Sequence, residues 1–418
     1  MLFFRSMQYR TMPRDDNKLS IIGFGVMRLP QKNGRIDTEN SEKLLLEAAD
    51  KGVNYFDTAY PYIKGQSEPF LGNFLKKHNL RNSVYIATKL PHWQTKNIRE
   101  MERLLDNQLK RLKTDHIDYY LVHNLNGGSW QTVKQRGVLN FLEKAKKEGK
   151  IIKAGFSWHG NPENFITAVD DWNWDFTQIQ YNILDEKRQA GRDGLKYAAS
   201  KGLGVVIMEP LRGGKLTTKI PPKAAETWKE RPEYSPAVHS LRWIWNQEET
   251  QVVLSGFSSE EHLEETLNAA SEAVPGMLSA EESDFIERVK KAYKSAQTID
   301  CTGCRYCIPC PYGVSIPEVF DWYNEYKTLN HTQSQKMFYV ITVGGTLSGK
   351  SGLARNCVSC NVCLEKCPQS LPIPDLMKKI NKEYEGFVGR NFDKAGTFLH
   401  NLRNRSRKID KKNKNTGN

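Results

Sequence analysis

All eight cysteines of this chain lie between Cys301 and Cys367, in two runs. Cys301, Cys304, Cys307 and Cys310 precede Pro311, and Cys357, Cys360, Cys363 and Cys367 precede Pro368. Two residues between successive cysteines, and three before Cys367, set the thiolates of each run around one small centre, as in iron-sulfur ligation. Structural zinc also accepts four thiolates, but its ligands usually come as separated cysteine pairs rather than as runs closed by Cys-Pro. A second set of reactive side chains lies earlier: Asp57, Lys89, His123, Ser157 and Gln178 each stand near the C-terminal end of a β-rich run. Taken singly, each has a structural explanation, such as an Asp capping a helix or a His satisfied by a carbonyl. A carboxylate, an ammonium and an imidazole at the ends of successive runs point instead to acid-base chemistry.

The elements that must position these groups alternate. Eight β-rich runs recur: SIIGFG at Ser20, VNYFD at Val53, VYIATK at Val84, IDYYLVH at Ile117, IIKAGFS at Ile151, FTQIQYN at Phe176, GVVIMEP at Gly204 and QVVLSGF at Gln251. Helical periodicity is expected over Glu39 to Lys51, Asn97 to Leu112, Gly137 to Glu148, Gly194 to Lys201 and Ser235 to Gln247. Eight such units predict an α/β fold, a closed (β/α)8 TIM barrel rather than an open sheet, whose chemistry sits at the C-terminal strand ends. Residues 7 to 19 are expected to form a hairpin at the lower end. A further helix is expected after Ser279, and the composition then turns to Cys, Pro and Gly. This places a barrel over 1–295, a small, mainly helical iron-sulfur domain over 296–385, and a basic tail over 386–418, disordered at its end.

The 418 residues include 61 basic and 48 acidic ones, a formal net charge of +13, and 39% hydrophobic residues, enough for a large core. No apolar run has the length of a membrane span, no secretory signal is legible at MLFFRSMQYR, and no nucleic-acid motif accompanies the basic tail. Cysteines confined to one segment, rather than spread as staples, imply a reducing cytoplasm. GGTLSGKS, Gly344 to Ser351, matches a phosphate-loop pattern, but the cysteines arrive too soon after it for the helix such a loop needs, so it reads as a connector. GFGVMR at Gly23 is a partial dinucleotide fingerprint with Arg28 in the third glycine's place, and it lacks the βαβ setting.

With Tyr62 five residues beyond Asp57, the segments GVNYFDTAYPY, YIATKLP and DYYLVHN resemble the signatures of the aldo-keto reductases over roughly residues 20 to 290. The resemblance implies NAD(P)H-dependent hydride transfer to an aldehyde or ketone, or the reverse from an alcohol. Tyr62 would then be the general acid, Lys89 its tuner, Asp57 the partner of Lys89, and His123 the group orienting the carbonyl oxygen. It further implies that Ser157 and Gln178 hold the nicotinamide amide. The loop around Leu211, Gly213, Gly214 and Leu216 would line the pyrophosphate, with Gly256 and Ser258 in the loop after the eighth run. Trp158 stands where the family usually has Asn, and His262 and Thr266 where Arg and Asn commonly hold the adenosine end, which leaves NADP(H) and NAD(H) both open. Tyr60, His92, Trp93, Trp130 and Trp158 are candidates for an aromatic substrate wall or for packing.

The cysteine runs, with the helical-looking PEVFDWYNEYKTL between them, resemble the α-helical ferredoxins. That resemblance implies two 4Fe-4S clusters, one on Cys301, Cys304, Cys307 and Cys367 and the other on Cys357, Cys360, Cys363 and Cys310, with a redox protein as possible partner. Two rival readings remain at this point: a barrel serving only as a scaffold for electron transfer, and a redox sensor.

Overall fold

The computed structural model describes residues 6–218, 220–296, 298, 299, 301, 303, 305, 307–329, 333–345, 351–367 and 370–386. The basic tail beyond 386, Cys304 and most of the phosphate-loop-like segment lie outside these described residues. By packing, the chain divides into two compact units, one drawn from Met1–Thr218 and Trp228–Lys290, the other from Lys219–Thr227 and Lys291–Asn418.

In the first unit each β-rich run contributes one parallel strand to a closed barrel, in chain order: Ile22–Gly25, Tyr55–Asp57, Tyr85–Leu90, Ile117–Leu125, Ile151–Trp158, Phe176–Gln180, Gly204–Met208 and Val252–Ser255. These first to eighth strands are rich in Val, Ile, Tyr and Phe, which fit a pleated surface buried on both faces. Tyr55, Ala87, Tyr119, Leu121, Phe176, Val206, Val252 and Leu254 fill the interior together with Met12 and Leu19. The last two come from the expected hairpin, Tyr9–Thr11 paired antiparallel with Lys18–Ser20, which floors the barrel. Gly204 opens the seventh strand against that floor, where any Cβ would collide with the Met12 thioether.

The five expected helices form as Thr38–Asp50, Ile98–Leu112, Val138–Lys147, Gly191–Ser200 and Pro236–Trp245. Asn97 and Ser235 cap two of them, accepting from the backbone N–H of Glu100 at 3.1 Å and of Val238 at 3.3 Å. Ser67–Lys77, Pro162–Asp170 and Glu260–Ala270 are further helices of the βα units.

The second unit is helical among its described residues. Helices Ile316–Leu329, Gln333–Thr342, Val362–Lys366 and Ile373–Ile380 gather around Val319, Phe320, Tyr323, Tyr339, Met377 and Tyr384. Two buried polar side chains tie the cysteine runs to this core. The carbonyl oxygen of Asn324 accepts from the backbone of Thr298 (3.1 Å) and Ile299 (2.9 Å), just before Cys301. Glu385 accepts from the Tyr339 hydroxyl (2.6 Å) and from the backbone N–H of Ala354 (2.7 Å) and Arg355 (3.2 Å), just before Cys357. Glu385→Ala strands these donors in the interior, at a cost of about 2–5 kcal/mol. The variant is expected to purify with less bound iron and a lower melting temperature than the parent chain. Unchanged iron content would show that the second run holds its place without this anchor.

Candidate active site

Asp57 closes the second strand, Lys89 is the penultimate residue of the third, and His123 lies in the fourth. The Lys89 side chain is fully buried and donates from Nζ to Asp57 Oδ1 at 2.6 Å and to the Thr58 carbonyl at 2.8 Å. Its Nζ stands 4.9 Å from the centroid of the Tyr62 ring, and that ring meets His123 edge-on at 6.0 Å. The fourth strand changes register against the fifth between Val122 and Leu125, where Asn124 adopts a φ of 56° and donates its N–H to Ser157 Oγ at 2.7 Å. A bulge at His123 re-aims the imidazole as an unbroken ladder would not.

Tyr62 opens a short turn, Tyr62–Gly65, in which Ile63 and Lys64 have φ of 47° and 53°. Non-glycine residues hold such angles only when their surroundings enforce them. Arg111 supplies the enforcement: it donates to the carbonyls of Tyr60 (3.4 Å) and Gly65, lies 4.2 Å from the centroid of the Tyr60 ring, and pairs with Glu68 at 3.0 Å. Buried Glu68 accepts from Thr88 (2.7 Å) and Gln108 (2.6 Å), and Gln108 also donates to the Lys89 carbonyl at 3.1 Å. One network thus braces both the turn carrying Tyr62 and the strand carrying Lys89. Sequence reasoning missed Glu68, Gln108 and Arg111, because helix positions without periodic exposure carry no local sign of a polar core.

Burial shapes the electrostatics. It pushes Asp57 above the usual carboxylate range against the pull of Lys89. It draws Lys89 down, but Asp57 and then Tyr62 more than restore it, so the ammonium is held above its ordinary value. Burial also raises the Tyr62 phenol, Lys89 lowers it, and Asp57 and Glu209 raise it again, for a net upward shift. Lys89 therefore acts in the direction read from the sequence, yet burial outweighs it. His123 is driven well below its usual value by burial, then by Lys89, His159 and His92, while burial brings His92, itself 8% exposed, to about 4. At neutral pH the cleft holds a protonated phenol, an ammonium and neutral imidazoles, a set able to hand a proton to an oxygen lodged between Tyr62 and His123. His159 was not singled out from the sequence, although its place directly after the fifth strand was the available signal.

The other predicted residues separate into two classes. Ser157 and Gln178 are register partners on the fifth and sixth strands. Gln178 Oε1 is buried without a hydrogen-bond partner, an acceptor suited to a primary amide donor. Leu211, Gly213 and Gly214 lie in the loop after the seventh strand, where Arg212, Gly213 and Gly214 all have positive φ and the space beside Gly214 is open, whereas Leu216 is fully buried in the short helix Lys215–Thr218 that follows. Gly256 and Ser258 lie in the loop after the eighth strand, ahead of a helix whose first turn holds Glu260, Glu261 and exposed His262, with Thr266 buried further along. Of the aromatic candidates, Trp158 and Trp130 are packing: the Trp158 indole is 0% exposed and donates to the Asn161 carbonyl at 3.2 Å, and the Trp130 indole donates to Asp171 at 2.6 Å. Tyr60 lies against Arg111. Trp93, 38% exposed and 5.3 Å from the His123 ring, and the neighbouring His92 border the cleft.

In the second unit, Cys310, Cys357, Cys360 and Cys363 line one cavity, with Cys307 at its wall and Val358, Val362 and Met377 around it. Burial raises the Cys363 thiol, and Cys357, Cys310 and Cys360 raise it further. Cys307 and Cys310 of the first run thus share this cavity with the first three cysteines of the second. Cys301, Cys307 and Cys367 pack against the same core. Among the described residues no three metal-ligating side chains converge tightly enough to share a single ion.

The aldo/keto reductase family profile matches residues 21–289, and the profile of a 4Fe-4S dicluster domain matches 300–371. Among curated proteins, the chain is 29% identical over 289 residues to L-galactose dehydrogenase of Arabidopsis thaliana, covering 63% of this chain and 88% of that protein. It is 26% identical over 305 residues to the NADH-specific methylglyoxal reductase of Escherichia coli, covering 61% and 90%. Among solved structures, the holo form of an aldo-keto reductase from Bacillus halodurans superposes with a TM-score of 0.59 at 25% identity, over 68% of this chain and 97% of that one. An aldo/keto reductase from Klebsiella pneumoniae in complex with NADPH shares the fold, with a TM-score of 0.55 at 23% identity over 68% and 95%. With the barrel, the buried Asp57–Lys89 pair and these likenesses together, the chain belongs to the aldo/keto reductase family and is an NAD(P)H-dependent oxidoreductase bearing a 4Fe-4S dicluster domain.

Proposed function

We propose that residues 1–295 catalyse reversible hydride transfer between a nicotinamide dinucleotide and a small aldehyde, ketone or alcohol, with Tyr62 as proton donor. The observation that carries this reading is the buried Lys89 ammonium, bonded to Asp57 at 2.6 Å and set against the Tyr62 ring. When bound, the reduced nicotinamide supplies the hydride. Tyr62 donates its proton to the carbonyl oxygen, Lys89 steadies the phenolate left behind, and Asp57 keeps Lys89 in place. His123, neutral, offers an N–H to the same oxygen, while Ser157 and Gln178 fix the carboxamide and the loops around Leu211 to Leu216 and Gly256 to Ser258 hold the phosphates.

In the same proposal residues 296–385 hold two 4Fe-4S clusters in a reducing cytoplasm, on Cys357, Cys360, Cys363 and Cys310 and on Cys301, Cys304, Cys307 and Cys367. The clusters stand off the hydride path. A hydride carries two electrons and a 4Fe-4S centre takes one, so direct exchange would need a high-energy one-electron nicotinamide state. The test is anaerobic, with the full-length protein. It is expected to contain about eight iron atoms per chain, to oxidise NADH or NADPH in the presence of an aldehyde or ketone, and to keep its cluster absorbance while doing so. Rapid bleaching by nucleotide alone, in protein free of flavin, would put the clusters on the path. Failure to turn over any carbonyl while binding nucleotide would favour the scaffold reading.

A further inference from the structure

We propose that Arg28 is the cationic anchor for the dinucleotide's phosphates, an inference that rests on the nucleotide-binding reading above. The barrel's two phosphate-binding loops follow its seventh and eighth strands. Arg28 follows the first strand, which closes the barrel beside the eighth through Ile22 and Val253, Gly23 and Leu254, and Phe24 and Ser255. Its side chain crosses both loops. A Cβ at Gly256 would stand 3.1 Å from Arg28 Cβ, so the stem of the arginine runs against the eighth-strand loop. A Cβ at Gly213 would stand 2.6 Å from an Arg28 guanidinium nitrogen, so the charged head lies on the backbone of the seventh-strand loop. Glycine at 213 is thus required twice, for its φ of 66° and for the guanidinium's approach.

The Arg28 guanidinium stands 3.6 Å from Glu209, a distance that orients it without closing its donors in a bidentate pair, and the Arg28 side chain remains 51% exposed. Arg212 on the same loop is differently employed: it donates to both oxygens of buried Asp185, at 2.9 and 2.8 Å, and serves to shape the loop. A planar fork on a half-exposed side chain, laid across a glycine-rich loop of positive-φ residues, matches a diphosphate in both charge and geometry. The partial fingerprint GFGVMR acquires a reason from this arrangement: at the third glycine's place the chain carries a phosphate-binding side chain instead of a close backbone approach.

The test is fluorescence titration of the anaerobic full-length protein with NADH and NADPH, and with reduced nicotinamide riboside, which lacks phosphate. Arg28→Met is expected to raise the dissociation constants of both dinucleotides about tenfold to a hundredfold. It should also flatten their dependence on salt concentration and leave the riboside unaffected. Arg28→Lys, which keeps the charge but not the fork, is expected to fall between. Equal dinucleotide affinity and equal salt dependence in Arg28→Met and the parent chain would overturn the assignment while leaving the nucleotide-binding reading intact. Loss of dinucleotide and riboside together would also overturn it, by showing that Arg28 merely supports the loops. A parent chain that binds neither dinucleotide would remove the reading on which the assignment rests.

Discussion

Tyr62→Phe is expected to lower carbonyl reduction by a factor of at least about a hundred, the usual share of a positioned general acid, while nicotinamide binding stays near that of the parent chain. The separation follows from geometry. Tyr62 faces Lys89 and His123, whereas the candidate nicotinamide contacts, Ser157 and Gln178, stand on the fifth and sixth strands. The phenyl ring keeps the packing, so the loss should fall on kcat. The pH dependence supplies a second check. Burial holds the Tyr62 phenol above its ordinary value despite Lys89. Reduction needs the protonated phenol and would be lost only as pH rises through that raised value, so it should show no fall attributable to Tyr62 below about pH 10. Alcohol oxidation needs the phenolate and should climb with pH over the same range. A variant with parent turnover, or a reduction limb that falls near neutrality and vanishes in Tyr62→Phe, would contradict this account.

How much of this was legible in the sequence depended on the range of the interactions involved. The eight strands were readable because each is a short β-branched or aromatic run, and Asp57, Lys89 and His123 because they stand in those runs at the barrel's working end. Asn97 and Ser235 marked their helices by capping chemistry. Ser67–Lys77 carried no such mark, since Gln66 at its N-cap makes no side-chain cap and the preceding turn is held by Arg111 from a helix far along the chain. The bulge at His123 is equally silent, because it exists only in the ladder with the fifth strand. For Trp158 the sequence left a place on the cleft wall and packing both open, and strand alternation decides for packing, against Phe156 and Phe165. The level of the Tyr62 phenol is a sum of opposing effects whose balance only burial decides.

That balance also predicts the consequence of removing Lys89. In Lys89→Met the hydrophobic stem is kept but the ammonium is lost, leaving Asp57, 3% exposed, with neither its 2.6 Å partner nor solvent. Removing one member of a buried pair costs about 3–5 kcal/mol, because the remaining charge is stranded. Asp57 is already above the carboxylate range in the parent protein, through burial that exceeds the pull of Lys89, and without that pull it rises further. The folded state then holds a proton that the unfolded chain has released. Stability must therefore fall as pH rises from the unfolded carboxylate value, near 4, up to the raised folded value, and level off beyond it. The deficit of Lys89→Met, measured by urea unfolding against the parent chain, is accordingly expected to be small near pH 5 and larger near pH 8. Adding Asp57→Asn removes the stranded charge, so the double variant should regain stability at pH 8 while remaining inactive in carbonyl reduction. A deficit independent of pH, unrelieved by Asp57→Asn, would mean that Lys89 supports the barrel by packing rather than by its charge.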